Sequence, residues 1–208
     1  MSPRSGEGFL LSGAIKVDGV KYSVILWTAW FAYWIVSARH RVRNTDQSSP
    51  QREPLAGRLF YLSLMVVGFG LAFWRRQAFS LGQLWPAGEM GMAAGLTVQA
   101  AGLAFAIWAR RTLGSNWAGR ITIGGSQELI VRGPYRLVRH PIYSGLLLSF
   151  LGTAMVEGEG RGFLGFLLVL AGVLIKLRRE ETALRKHFGA AYEEYARRVP
   201  GLFPIRLG

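Results

Sequence analysis

Gly133-Pro134-Tyr135-Arg136-Leu137-Val138-Arg139-His140-Pro141-Ile142-Tyr143-Ser144-Gly145 is the stretch where a basic, polar part of the chain turns into an apolar one. Gly133-Pro134 is a turn signal. Pro141 suits the first turn of a following helix, where its missing N–H costs nothing. Arg139 and His140 therefore stand beside a helix start, whose free N–H groups and partial positive charge suit a carboxylate or phosphate. Beyond the motif, residues 142–156 and 163–175 are apolar, and residues 157–162 (Glu-Gly-Glu-Gly-Arg-Gly) are polar and turn-forming. This pattern predicts an antiparallel helical hairpin, its fourth and fifth apolar segments both short, the fourth with a possible interfacial start at Tyr135.

Working back from the hairpin, residues 88–108 form a third apolar segment, rich in Gly and Ala, and Gly91, Gly95 and Gly102 are small enough to let a neighbouring helix come close. Residues 59–74 form a second. They fall short of the roughly 20 residues that a membrane span needs, so the span has to borrow from Leu55-Ala56-Gly57 or thin the bilayer locally. Residues 20–37 form a first, unusually dense in aromatic side chains and stopped by Arg39, Arg41 and Arg43. Residues 1–20 are Gly-rich and mixed, and read as a flexible or interfacial segment. The first 14 residues lack the basic-then-apolar pattern of a cleavable signal. Residues 44–57, with Pro50 and Pro54, read as a loop; residues 77–87, with Trp85-Pro86, read as an interfacial segment. Residues 112–140 read as a long loop in which Ile121-Thr122-Ile123 is a short extended piece. Residues 176–198 place Leu177, Leu184, Phe188, Tyr192 and Tyr195 at spacings of three, four and seven, as in an amphipathic helix interrupted slightly at Gly189.

Composition agrees. At 208 residues the length fits one domain, and a 50% hydrophobic content with 7 Trp and 12 Phe is high for a soluble domain and ordinary for a membrane protein. The net charge of +13 admits nucleic acid, an anionic membrane surface or an acidic ligand, and the placement of the charges decides. Residues 39–58 carry five Arg, residues 109–140 six, and residues 176–208 eight Lys or Arg, leaving six of 25 elsewhere. By the positive-inside rule this puts the motif-bearing loops and the C-terminal segment on the cytoplasmic side of an integral, multi-pass membrane protein. A basic rim of that kind attracts anionic membrane lipids. The basic residues sit at span ends and not along one aromatic-interleaved face, so no nucleic acid is expected. There is no cysteine, and His40, His140 and His187 are too scattered for a local metal motif, so no metal is expected.

The motif resembles the R-H-P-x-Y-x-G signature of the isoprenylcysteine carboxyl methyltransferase family, membrane enzymes that use S-adenosylmethionine. The second family signature has its counterpart in Glu180-Glu181, Phe188-Gly189, Tyr192-Glu193-Glu194-Tyr195 and Val199-Pro200, and Arg111-Thr112-Leu113-Gly114-Ser115-Asn116-Trp117 is also similar. The resemblance covers roughly residues 110–204. It implies an all-α polytopic transmembrane helix bundle of about five spans, with a cytoplasmic cofactor pocket and a C-terminal amphipathic helix. It also implies one domain over 1–208, in which 1–108 supply N-terminal spans and 109–208 the catalytic and cofactor-binding half.

Glu180 and Glu181 lie just past the fifth segment. By charge pattern alone they read as a solvated helix face neutralised by Arg178, Arg179 and Arg185. A carboxylate can also accept from the ammonium or ribose hydroxyls of S-adenosylmethionine, and the resemblance favours that role for Glu180 first and Glu181 second. His140 reads as a helix-start group, a cofactor contact or a base. The resemblance places it in the cofactor pocket with Pro141, Ile142 and Tyr143. Tyr135 and Tyr143 are cofactor contacts by resemblance and membrane-interface anchors by type. Gln127, Glu128, Leu129 and Ile130 align with the family stretch that lines the cofactor through its backbone. Lys176 lies four residues before Glu180, on the same helix face. The family has an arginine there on the substrate side, whereas this chain has a point charge in place of a planar fork. The alternative for Lys176 is a snorkelling residue at a span end. No catalytic residue stands out: the methyl group on a sulfonium is already activated, and positioning does most of the work.

The expected activity is methyl transfer from S-adenosylmethionine to a lipid-tailed or otherwise lipophilic acceptor, first of all the carboxylate of a prenylated cysteine. Phospholipid N-methylation and small-thiol S-methylation are enzymatic alternatives, and a non-catalytic membrane scaffold is an alternative of another class. Convergence of Glu180 and His140 separates them, because a scaffold has no need of it.

Overall fold

The computed structural model describes residues 5–39, 54–73, 81–85, 88–114 and 128–204, and the described residues are all-helical apart from turns and one isolated bridge. Six α-helices follow in order: α1 (Ser5–Arg39), α2 (Leu55–Phe73), α3 (Glu89–Leu113), α4 (Pro141–Glu157), α5 (Gly160–Phe188) and α6 (Ala190–Arg198), with a short 3-10 turn at Gly133–Arg136 before α4. Apolar segments adopt this form because a helix satisfies its own backbone where water is absent. α2, α3 and α5 are long and apolar enough to cross a membrane, and α4 is a shorter apolar helix of 17 residues. The protein is a membrane protein by this criterion. The first apolar segment lies inside α1.

Residues 1–20 were expected to be flexible or interfacial; from Ser5 onward they belong to α1. Two local expectations are corrected. The amphipathic helix expected over 176–198 is instead the polar end of α5 followed by α6. The break falls at Gly189, where φ is 54°. This positive-φ conformation ends a helix readily at glycine, which has no Cβ to clash. The apolar segment before Glu180 is thus continuous with the helix that carries Glu180. The fourth segment starts at Pro141, and Tyr135 belongs to the preceding 3-10 turn. The short second segment does extend over Leu55-Ala56-Gly57 to reach 19 residues. Most of the 44–57 loop and the 121–123 segment lie outside the described residues.

α3 packs chiefly on α4, and α2 on α5. Small residues allow both approaches. A Cβ at Gly102 would lie 2.5 Å from the Gly145 carbonyl oxygen and 2.6 Å from the Ser149 nitrogen, and Gly95 meets Gly152 in the same way. Gly91, grouped with them in the sequence, faces only the Trp85 indole, at an ordinary 3.7 Å. On the other pair, Gly68 opposes Gly165, with a Cβ 2.6 Å from its carbonyl oxygen. Polar bonds fasten α1 to α3 and α4: Gln99 Nε2 donates to the Ser23 carbonyl at 3.0 Å and Trp27 Nε1 to Thr153 Oγ1 at 3.0 Å. Trp27, Trp30, Phe150, Leu147, Val169 and Val173 fill the core between the helices. At the turn between α4 and α5, Arg161 bonds both Glu157 at 2.8 Å and Glu159 at 2.5 Å, so this buried arginine at the end remote from the motif is neutralised in place.

The α3–α4 contact predicts that Gly102→Val destabilises the folded protein by about 1–3 kcal/mol, the usual cost of overpacking. Gly70→Val on α2, where nothing lies within 4 Å of a Cβ, should leave it nearly unchanged. Thermal unfolding of the two detergent-purified variants, followed by tryptophan fluorescence, checks the contrast; equal melting would mean that α3 and α4 do not approach so closely.

Candidate functional site

The motif is held by a strap from the far end of the chain. Gly133, at φ 60°, opens the 3-10 turn that buries Pro134 and Tyr135. Tyr195 on α6 donates its hydroxyl to the Tyr135 carbonyl at 2.7 Å. Past the turn, the Arg139 and His140 N–H groups donate to the carbonyls of Pro200 at 2.8 Å and Gly201 at 3.0 Å. Ser144 Oγ, in the first turn of α4, donates to the Leu202 carbonyl at 2.5 Å. Residues 195–202 therefore lie along the motif and pair its backbone as far as the start of α4.

The two adjacent glutamates have different surroundings. Glu181 Oε1 accepts from Arg139 Nε at 3.0 Å and Nη2 at 2.5 Å, and His140 Nε2 lies 3.2 Å from the same oxygen. Arg185 Nη2 reaches Glu181 Oε2 at 3.5 Å. The remaining Arg139 nitrogen, Nη1, donates to the carbonyls of Ala196 at 3.1 Å and Val199 at 2.5 Å. One guanidinium thus joins α5, α6, the strap and the motif. Glu180 Oε2 accepts from the Tyr143 hydroxyl at 2.6 Å, and its other oxygen has no partner among the described residues. The His140 and Tyr143 rings are 6.0 Å apart and nearly parallel. Lys176 Nζ stands 5.3 Å from the centre of the Tyr143 ring and 5.9 Å from that of Tyr61 on α2.

Burial, more than any single charge, keeps the tyrosine hydroxyls around the site protonated. Burial pushes the Tyr135 hydroxyl up, and the Glu180 carboxylate adds to the shift. Burial and then Glu181 push Tyr192 up to about 12. Tyr195 is raised by burial and by Tyr192, so its bond to the Tyr135 carbonyl persists at neutral pH. Burial works against the Arg139 charge, but the bond to Glu181 outweighs it and raises the guanidinium further.

His140, Tyr143, Lys176, Glu180 and Glu181 come together at the meeting of α4 and α5. Pro141 is buried at the start of α4. Ile130 and Tyr135 are buried against Ala109 of α3, with Ile142 and Leu113 packed beside them, so part of the expected 127–130 stretch adjoins the cluster. Glu128 is exposed and Leu129 half-buried; Gln127 lies outside the described residues. Arg139, Tyr61 and the backbone of residues 196–202 were not among the expected site residues. Arg139 was visible as the first letter of the motif. Tyr61 had no signal, since it lies in an ordinary apolar segment more than 70 residues before the motif.

A helical membrane protein that joins a His-Pro helix start to a paired glutamate at the end of a long apolar helix is the class that fold and site define here. Residues 90–191 match the family model described as phospholipid methyltransferase. The chain is 41% identical over 87 residues to a probable protein-S-isoprenylcysteine O-methyltransferase of Oryza sativa subsp. indica, covering 41% of this chain and 46% of that protein. It is 45% identical over 71 residues to methanethiol S-methyltransferase 2 of Bradyrhizobium diazoefficiens, covering 34% and 26%. A longer similarity, 30% over 165 residues, links it to a methanethiol S-methyltransferase of Mycobacterium tuberculosis, covering 73% and 65%. The first two matches span about half or less of the relatives' own length. The resemblance to the isoprenylcysteine carboxyl methyltransferases read from the motifs is borne out by these matches.

Proposed function

We propose that this protein is a membrane methyltransferase that moves the methyl group of S-adenosylmethionine to a lipophilic acceptor, first of all the carboxylate of a prenylated cysteine. The observation that carries the reading is Glu180: one oxygen is held by Tyr143, while the other has no partner among the described residues. A carboxylate so placed fits an ammonium or a ribose hydroxyl. The residues that would hold the cofactor are Glu180, Tyr143, Tyr135, His140, Pro141 and Ile142, with the backbone of residues 128–130 beside them. Glu181 acts differently, by fixing His140 and Arg139. When bound, the cofactor supplies an activated methyl group. The chain's part is to orient the two reactants, and a carboxylate acceptor, ionised at neutral pH, needs no base. Lys176 is assigned to the acceptor side.

In this reading the catalytic half is residues 109–208 of a single domain, the protein is multi-pass, and the motif end faces the cytoplasm, as the basic residues around it favour. A phospholipid amine fits less well, because its cationic form would meet Lys176. Transfer to a small thiol is the second reading, favoured by the similarity to methanethiol S-methyltransferases. A scaffold has no need to bring His140, Tyr143 and Glu180 together.

The test is transfer of a labelled methyl group by the purified protein in nanodiscs, with N-acetyl-S-farnesylcysteine, methanethiol and phosphatidylethanolamine offered in parallel. Turnover of the farnesylated carboxylate above the other two is expected. Preference for the thiol would establish the second reading. Failure with all three, together with no binding of S-adenosylhomocysteine to folded protein, would refute a methyltransferase.

A further inference from the structure

Lys176 differs from the other basic residues around the site. Arg139 and Arg185 both bond glutamates. Lys176 has no ion pair or hydrogen bond among the described residues, although Glu180 is one turn away on the same helix. Its ammonium rests against two tyrosine rings, Tyr143 of α4 and Tyr61 of α2. A cation at the face of an aromatic ring is attracted by the ring quadrupole and keeps its charge available to another partner.

Tyr61 is 4% exposed, and its place is fixed by backbone packing. A Cβ at Gly172 of α5 would lie 2.9 Å from the Tyr61 carbonyl oxygen, so α2 sits directly on α5 one turn before Lys176. The Arg179 guanidinium stands 5.9 Å from the centre of the same ring and against Gly57, one turn earlier on α2. The Tyr61 ring thus has Lys176 and Arg179 around it. α2 lies outside residues 90–191, the segment that the family model matches.

We infer that Tyr61 is a positioning residue for the acceptor: with Tyr143 it holds the Lys176 ammonium as an unpaired cation whose counter-ion is an anionic group of the bound acceptor. The inference rests on the methyltransferase reading and adds to it that acceptor choice is set in part by α2, outside the family segment. Removing the ring leaves the lysine charge in place but frees the side chain to move to water, and the preference for an anionic acceptor falls. The site of the cofactor, around Glu180 Oε1, is untouched.

The experiment compares binding of N-acetyl-S-farnesylcysteine and its carboxamide to the full chain in phosphatidylcholine nanodiscs, with S-adenosylhomocysteine affinity and methyl transfer measured on the same preparations. The wild type should favour the carboxylate by about tenfold or more, the scale of one charge-assisted contact. Tyr61→Phe should keep that preference. Tyr61→Leu, Tyr61→Met and Lys176→Gln should lose it while retaining wild-type S-adenosylhomocysteine affinity. Equal binding of the two probes by the wild type overturns the inference, even in a protein that transfers methyl groups. So does a preference that survives in both Tyr61→Leu and Tyr61→Met, and so does loss of S-adenosylhomocysteine binding in both, which would make Tyr61 structural. A wild type that prefers the carboxylate but neither binds S-adenosylhomocysteine nor transfers methyl groups leaves the anion site standing and refutes the methyltransferase reading alone.

Discussion

Glu180→Ala weakens S-adenosylhomocysteine binding by about 10- to 100-fold, the range expected for one or two charge-assisted hydrogen bonds, and leaves the unfolding temperature close to that of the wild type. The asymmetry follows from what Glu180 touches. Within the described residues its only bond is the one from Tyr143, and its second oxygen is open. The variant leaves the Tyr143 hydroxyl without its acceptor, a modest loss at a partly buried position. The cofactor loses a counter-charge that nothing nearby replaces, because Glu181 is already engaged by Arg139, His140 and Arg185. Calorimetric titration beside a thermal melt measures both quantities. A fall in stability as large as the fall in affinity would make Glu180 a structural residue.

Arg139→Ala has the opposite profile: it lowers stability by about 3–5 kcal/mol, as does breaking other buried ion pairs, and abolishes cofactor binding as a secondary effect. The Arg139 side chain makes four hydrogen bonds, two to Glu181 and one each to the carbonyls of Ala196 and Val199. Its removal leaves the largely buried Glu181 carboxylate with only His140 and Arg185, leaves two carbonyls without this donor and detaches the strap from α5. Arg139→Lys should recover part of the stability, since it keeps the charge, but not all, since an ammonium cannot make four bonds to three separate acceptors as the planar guanidinium does. Unfolding in detergent, with proteolysis of the segment after α6 as a local probe, reads both effects. Near-wild-type stability of the alanine variant would show that the strap holds without this residue.

These two predictions concern neighbours that the sequence presents in almost the same terms. The helical segments were legible because long apolar runs bounded by arginines have few alternatives in a membrane. The motif and the paired glutamates were legible because their residue types suit a cofactor that carries positive charge. The division of work between Glu180 and Glu181 was not. Adjacent residues on a helix point about 100° apart, and only the positions of Arg139 and Tyr143 in space decide which carboxylate is tied and which is open. Tyr61 was illegible for a related reason: an aromatic residue in an apolar helix has the same pattern whether it faces lipid, like Phe60, or a lysine from another helix. The break at Gly189 was underestimated because a single glycine is often tolerated within a helix, and here the positive-φ backbone decides.

The strap also imposes an order on biosynthesis. Tyr195 follows Tyr135 by 60 residues, and at about 5–20 residues per second a ribosome needs roughly 3–12 seconds to make that interval. Early in it the backbone of Arg139 and His140 is unpaired and the Tyr135 carbonyl is open. Glu181, which will hold the guanidinium, is made 42 residues after Arg139, and the segment that will cover the motif is made later still. The motif therefore completes its contacts last, when the final segment folds back over it after all the apolar helices have been made.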